Sequence, residues 1–202
     1  MSQLNKAALT EARLPEKFCK LVAKEKYIGS QQAIIATGHY VKKYLDPKRK
    51  TNGVSLCLIG PEFSGKTYLL VHALMTALSA GKDVMYINLP DLFESAFYKS
   101  DYDLWAICKN TEFLGIDNIE KMFYGLDYQK HIFRLFLKAR IDRGLPTIIS
   151  LSSDQTASLK DSWGNEFVQL LDSYFAQVRT NATSTSSLRS KISDATGDVV
   201  CA

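Results

Sequence analysis

Val54-Ser55-Leu56-Cys57-Leu58-Ile59 is a short apolar run, and Gly60-Pro61-Glu62-Phe63-Ser64-Gly65-Lys66-Thr67 follows it directly. The run predicts a buried strand. The eight residues after it form a complete phosphate-loop pattern. Glycines let such a loop curl until successive N–H groups point inward. A helix starting at Lys66 adds the positive end of its dipole, about 0.3–1 kcal/mol for a nearby anion. Lys66 is spaced to reach β- and γ-phosphates, and the Thr67 hydroxyl to ligate Mg2+. Gly60, Pro61, Glu62, Phe63, Ser64, Gly65, Lys66 and Thr67 are therefore the expected nucleotide cradle. Glu62 is expected to point away from the phosphates, and Phe63 to pack on a neighbour.

The flanking sequence supplies the scaffold. Leu70, Leu74 and Leu78 recur every four residues beside Ala73 and Ala77, which predicts a helix over Lys66–Ala80 ended by Gly81. Further strands are expected at Val84–Leu89, Glu112–Ile116, Thr147–Leu151 and Ala176–Arg179. Helices are expected at Asp91–Phe97, at Asp127–Arg143 with Gly144 as its stop, and around Glu166–Tyr174. The tyrosine-rich stretch running past Trp105 is left without an element. Upstream, Ser30 is placed to cap a helix ending near Leu45, after a lead-in with short helical pieces. This rhythm implies right-handed crossovers and an α/β fold, a five-stranded parallel sheet sandwiched between helices. Residues 1–12 read as a flexible N-terminus and 13–179 as one domain with a helical lead-in (13–50). Residues 180–202 read as a Ser/Thr-rich tail.

The 202 residues, 46% hydrophobic and 23% charged, suit one domain with a core and exclude two of ordinary size. Residues 1–50 hold 11 basic and 4 acidic side chains, against 11 and 15 over residues 51–178. A basic arm on an acidic body points to an anionic partner or to a solvated lysine-rich face. No apolar run approaches a membrane span, and the sequence shows no signal-peptide stretch. Cys19, Cys57, Cys108 and Cys201 lie far apart, which argues against a disulfide framework or zinc ribbon and fits a cytoplasmic protein. His39, His72 and His131 are scattered and read as ordinary helix or core residues.

Phe113-Leu114-Gly115-Ile116-Asp117 ends an apolar strand with a carboxylate, which makes Asp117 the candidate to hold Mg2+ directly or through water. The next residue is Asn118, which cannot act as a base. Glu120 either swings in to orient an attacking water or is a solvated surface residue. Ser152, with Ser153 as fallback, either faces the γ-phosphate from the end of the fourth strand or caps the next helix. Lys66, Asp117, Glu120 and Ser152 are thus the candidate catalytic set.

Arg13-Leu14-Pro15-Glu16-Lys17-Phe18, the phosphate loop, Ile116-Asp117-Asn118-Ile119-Glu120 and Arg143-Gly144-Leu145-Pro146-Thr147-Ile148-Ile149 occur in an order that resembles the AAA+ core of bacterial helicase loaders of the DnaC/DnaI type. Transposition helpers of the IstB type share that core, and DnaA and Hda are similar, Hda especially around Gly60-Pro61-Glu62 and Ile116–Glu120. The resemblance spans roughly residues 13–190 and implies binding of ATP and Mg2+. It implies an adenine pocket near Phe18 and Tyr27, a sensor at Ser152 and a second sensor at Arg189. Helicase loaders carry a docking domain ahead of this core, whereas only a dozen residues precede it here. Gly164-Asn165-Glu166-Phe167-Val168-Gln169-Leu170-Leu171 holds no arginine finger, and Arg179 is the nearest arginine downstream.

The reading that follows is a DNA-replication accessory with weak or partner-dependent ATP hydrolysis, able to form oligomers. Its partner would be a replicative helicase or another replication or transposition protein. Single-stranded DNA is a further candidate partner, because Lys42, Lys43, Lys48, Arg49 and Lys50 interleave with Tyr40 and Tyr44. The alternatives are an IstB-like transposition helper, an Hda-like interaction module with little catalysis, and a P-loop kinase.

Overall fold

The structure, a computed structural model, describes residues 5–25, 27, 29–46, 54–97, 102–122, 127–152 and 156–181. Five strands form one parallel sheet: β1 (Ser55–Gly60), β2 (Val84–Asn88), β3 (Phe113–Asp117), β4 (Thr147–Ser152) and β5 (Phe175–Arg179), in the order β2-β3-β4-β1-β5. Nine helices surround it among the described residues: α1 (Lys6–Glu11), α2 (Glu16–Ala23), α3 (Gln31–Leu45), α4 (Lys66–Ser79), α5 (Leu89–Phe97), α6 (Tyr102–Asn110), α7 (Asp127–Asp142), α8 (Thr156–Trp163) and α9 (Asn165–Tyr174).

The period of two along each strand divides the core. Leu56 and Leu58 of β1, Phe113 of β3 and Ile148 of β4 pack with α2, α3 and α4 on one face. Cys57, Ile59, Leu114, Ile116, Ile149 and Leu151 pack with α5 to α9 on the other. Both faces are covered, which is why β1 reads as an unbroken apolar run. Gly115 of β3 faces α4, where a Cβ would come within 2.7 Å of Leu74 and 2.8 Å of Leu70. The missing side chain lets α4 lie close to the sheet, beneath the loop that starts it.

Ser30 caps α3 as expected, its hydroxyl accepting from the Ala33 N–H. Gly81 and Gly144 end α4 and α7 at φ 78 and φ 69, in the left-handed region that favours glycine. Three helices depart from the sequence reading. Residues 6–11, expected to be frayed, form α1, capped by the Asn5 side chain on the Ala7 N–H at 3.1 Å. Just beyond it, the Ala12 carbonyl accepts the Tyr86 N–H at 2.9 Å, pairing with the outer edge of β2. α6 buries Leu104 and Cys108, and α8 buries Leu159 and Trp163, each pair four residues apart. Cys19, Cys57 and Cys108 are free and buried. No helix among the described residues is long and apolar enough to cross a membrane.

His72 on α4 has a buried Nδ1 with no hydrogen-bond partner among the described residues. Burial pulls its pKa below the ordinary value, against the opposing charge of Glu25. Below about pH 6.5 the unfolded chain takes up a proton that folded His72 resists, so stability is lost as pH falls through that value. His72→Phe is expected to reduce the difference in urea midpoint between about pH 7.5 and about pH 5.5; an unchanged difference would show that His72 carries none of it.

Candidate functional site

The C-terminal ends of β1, β2, β3 and β4 meet at the start of α4. Strand register aligns Gly60 with Ser152 and Asn88 with Asp117. The loop between β1 and α4 curls through two left-handed residues, Phe63 at φ 60 and Gly65 at φ 89. For phenylalanine that conformation costs about 1–2 kcal/mol. The ring does not pack on a neighbour, as the sequence led us to expect. It is 67% exposed, because the turn carries it outward. Glu62 is exposed, consistent with its pointing away from an anion.

Lys66 is buried at the first residue of α4. Its ammonium donates to the Gly60 carbonyl at 2.9 Å and the Pro61 carbonyl at 2.6 Å. Ser64 is fully buried and donates to Pro61 at 2.8 Å. The first amides of any helix lack intrahelical partners, and here they follow a glycine-bounded curl.

Asp117, 2% exposed, sits at the centre of a hydrogen-bonded cluster. Its Oδ2 accepts from Thr67 Oγ1 and from the Tyr86 hydroxyl, each at 2.9 Å. Its Oδ1 accepts from Ser150 Oγ and from the Asn118 N–H. Burial, and then the carboxylate itself, push the Tyr86 hydroxyl well above the ordinary tyrosine range, so it remains a donor. The Thr67 hydroxyl and the Asp117 carboxylate are the pair predicted for the metal. One carboxylate and one hydroxyl suit Mg2+, which is ordinarily bound by few protein groups together with phosphates and water. No three His, Cys, Asp or Glu side chains gather as a metal cluster among the described residues.

Asn118 adopts φ 59, and its side-chain amide donates to Asn88 Oδ1 at 2.7 Å. The position after Asp117 is thus an amide tied to another amide. Glu120 lies in a 3-10 turn, Ile119–Met122, and its Oε2 accepts the Ser152 N–H at 2.9 Å. Both sequence candidates are therefore brought to the end of β4, with Glu120 engaged on backbone. Ser153 and Arg189 lie outside the described residues, as do Lys48, Arg49 and Lys50. Tyr27 lies against Tyr68 on the first turn of α4, with ring centroids 5.0 Å apart, and burial raises its hydroxyl pKa to about 12.

Three members of the site escaped the sequence reading: Tyr86, Asn88 and Ser150. Ser150 had a signal, a hydroxyl in the middle of the apolar run Thr147-Ile148-Ile149-Ser150-Leu151, where burial demands a partner. Tyr86 and Asn88 share the face of β2 that alternation gives to Asp117 on β3.

No protein-family model and no curated protein matches this sequence. Solved structures do. DnaI aligns with TM-score 0.67 at 14% identity, over 83% of this chain and 94% of that one. The DnaC helicase loader aligns with TM-score 0.61 at 18% identity, over 76% of this chain and 93% of that one. The fold is that of an AAA+ core. DnaA from Aquifex aeolicus, solved with AMPPCP, aligns with TM-score 0.63 at 19% identity over 84% of this chain. The chain spans about half of that DnaA chain, 52%. The AAA+ fold accounts for the strand order and for the position of the phosphate loop between sheet and α4. The resemblance seen in the motifs thus extends to the whole sheet.

Proposed function

We propose that this AAA+ chain binds ATP with Mg2+ and acts as a DNA-replication accessory of the helicase-loader kind, engaging a replicative helicase in an ATP-dependent manner. The observation that carries the nucleotide reading is the hydroxyl of Thr67, directly after the phosphate loop's lysine, lying 2.9 Å from the buried Asp117 carboxylate at the end of β3. The likeness to DnaC and DnaI over nearly the full length of those chains supports the replication role.

In this reading the loop amides and Lys66 hold the phosphates, and Lys66 exchanges its bonds to Gly60 and Pro61 for phosphate oxygens. Bound Mg2+ would neutralise phosphate charge; Thr67 and Asp117 are the residues that would hold it. Tyr86 and Ser150 keep the carboxylate oriented. Asn118 carries no basic group, and the Glu120 carboxylate is held toward the end of β4 by the Ser152 amide. Weak intrinsic hydrolysis follows, with binding rather than turnover as the signal to the partner. An Hda-like module that binds nucleotide without turning it over is the second reading, favoured by the Asn88–Asn118 amide pair.

Lys66→Ala tests the scheme. Losing one charge-assisted contact of about 1.5–3 kcal/mol should weaken Mg–ATP about 10- to 100-fold in calorimetry. It should also abolish ATP-dependent capture of the host's replicative helicase. Equal affinity in the variant would remove the phosphate loop from the function. Capture that ignores ATP in the unaltered protein would leave binding intact and refute the loader role.

A further inference from the structure

Thr180 follows β5 directly and belongs to no recognisable motif. It lies 116 residues from Ser64, yet the two hydroxyls stand 2.5 Å apart. Both residues are buried, Thr180 at 3% and Ser64 at 0% exposure. The Thr180 N–H donates to the Ile59 carbonyl at 2.8 Å, one step beyond the β1–β5 ladder. That bond fixes Thr180 against the last turn of strand before the phosphate loop. The fit is tight from the loop side as well: a Cβ on Gly60 would overlap the Thr180 hydroxyl and carbonyl.

The protons assign a direction. Each hydroxyl has one hydrogen to give. Ser64 gives its own to the Pro61 carbonyl at 2.8 Å. The Thr180 hydroxyl has two acceptors within reach, Ser64 Oγ at 2.5 Å and the Ile59 carbonyl at 3.2 Å. Two oxygens 2.5 Å apart need a hydrogen between them, and with the Ser64 hydrogen given to Pro61 it is Thr180 that supplies it. The result is a chain from Thr180 through Ser64 to the Pro61 carbonyl, where the Lys66 ammonium also donates at 2.6 Å. Successive hydrogen bonds of this kind polarise one another in a dry interior.

We propose that Thr180 is a positioning residue of the phosphate loop, acting through Ser64 and the Pro61 carbonyl to set the loop's curvature and the resting place of Lys66. The inference rests on the nucleotide reading of the loop. A loop that curls through left-handed residues has few side chains to brace it, and here the brace comes from the edge strand beside β1. The end of β5 and the lysine are thereby one mechanical unit. Any movement of the chain at Thr180 is transmitted to the Pro61 carbonyl.

A double-mutant cycle tests this, with magnesium–ADP as the titrant in calorimetry and thermal melts run in parallel. Thr180→Ala and Ser64→Ala should each weaken ADP by about 10-fold, the order of one lost buried hydrogen bond. The double variant should be little worse than either, because both substitutions break the same chain. Thr180→Ser, which retains the hydroxyl, should bind within about 3-fold of the parent. Affinity in Thr180→Ala equal to the parent's overturns the proposal, as do losses that multiply in the double variant. Equal weakening in Thr180→Ala and Thr180→Ser, tracking equal falls in melting temperature, assigns Thr180 a purely structural role and also overturns it. Should Thr180→Ala fail to fold, Ser64→Ala takes its place: about 10-fold weaker ADP supports the chain, and parental affinity overturns it. A folded parent protein that gives no heat with magnesium–ADP refutes the nucleotide reading itself, and the positioning role falls with it.

Discussion

Arg140→Met is expected to destabilise the protein by about 3–5 kcal/mol, because it strands a group of buried acceptors. Arg140 is 0% exposed and lies near the end of α7, away from the phosphate loop. Its guanidinium donates to the carbonyls of Cys108, Lys109, Thr111 and Pro146 and to Thr147 Oγ1. Those acceptors end α6, lead into β3 and start β4, so one side chain closes three segments at once. Burial lowers its pKa to about 10, which leaves it charged at neutral pH. The carbonyls around it include the negative end of the α6 dipole, which suits a cation. Methionine fills the volume and satisfies none of them. With about 2–4 °C per kcal/mol for a domain of this size, the melting temperature should fall by roughly 10 °C. Lysine should rescue little, since an ammonium has three donors and no planar fork. A melt within about 2 °C of the parent would show that water replaces the guanidinium at no net cost.

Gly60→Ala is expected to damage both the fold and the nucleotide site. The new methyl would meet the Thr180 hydroxyl and, beyond it, the Thr180 carbonyl, which belongs to the backbone and cannot rotate aside. Overpacking of this kind costs about 1–3 kcal/mol or more. Relief requires that β5 or the loop move, and Lys66 is bonded to the Gly60 carbonyl at 2.9 Å. Nucleotide affinity should therefore fall even where the variant remains folded. Melting and calorimetry on the same sample separate the two effects. Gly115→Ala makes a useful comparison, because the atoms nearest its methyl would be side-chain carbons of Leu70 and Leu74 rather than backbone. It should lower the melting temperature and leave affinity near the parent's.

The strand–loop–helix unit around Lys66 was legible because three independent signals agree there: an apolar run, a glycine-bounded turn and leucines at helical spacing. Asp117 followed because a carboxylate ending a buried strand has few other uses. α6 and α8 were hidden for the opposite reason. Among the described side chains each buries one apolar pair, Leu104 with Cys108 and Leu159 with Trp163, too little to outweigh the surrounding polar residues. α1 carried a readable cap in Asn5 ahead of good helix formers, and proximity to the chain start masked it. Phe63 was misjudged because apolar character says nothing about the direction a left-handed turn imposes. Thr180 could not have been found from local pattern at all. Its role arises from β1–β5 register, which is a property of the folded sheet.

The pairing of Ala12 with Tyr86 ties the end of the opening helix to the hydrogen-bonded cluster around Asp117. Tyr86 grips Asp117 with its hydroxyl while its amide is satisfied by Ala12. Trimming the protein back to its phosphate loop and sheet would leave that outer strand with an unmet donor, an invitation to intermolecular strand addition. It would also slacken the residue that steadies the Asp117 carboxylate. A shortened version prepared for crystallisation or screening would thus change solubility and ligand response together, through a single severed amide contact.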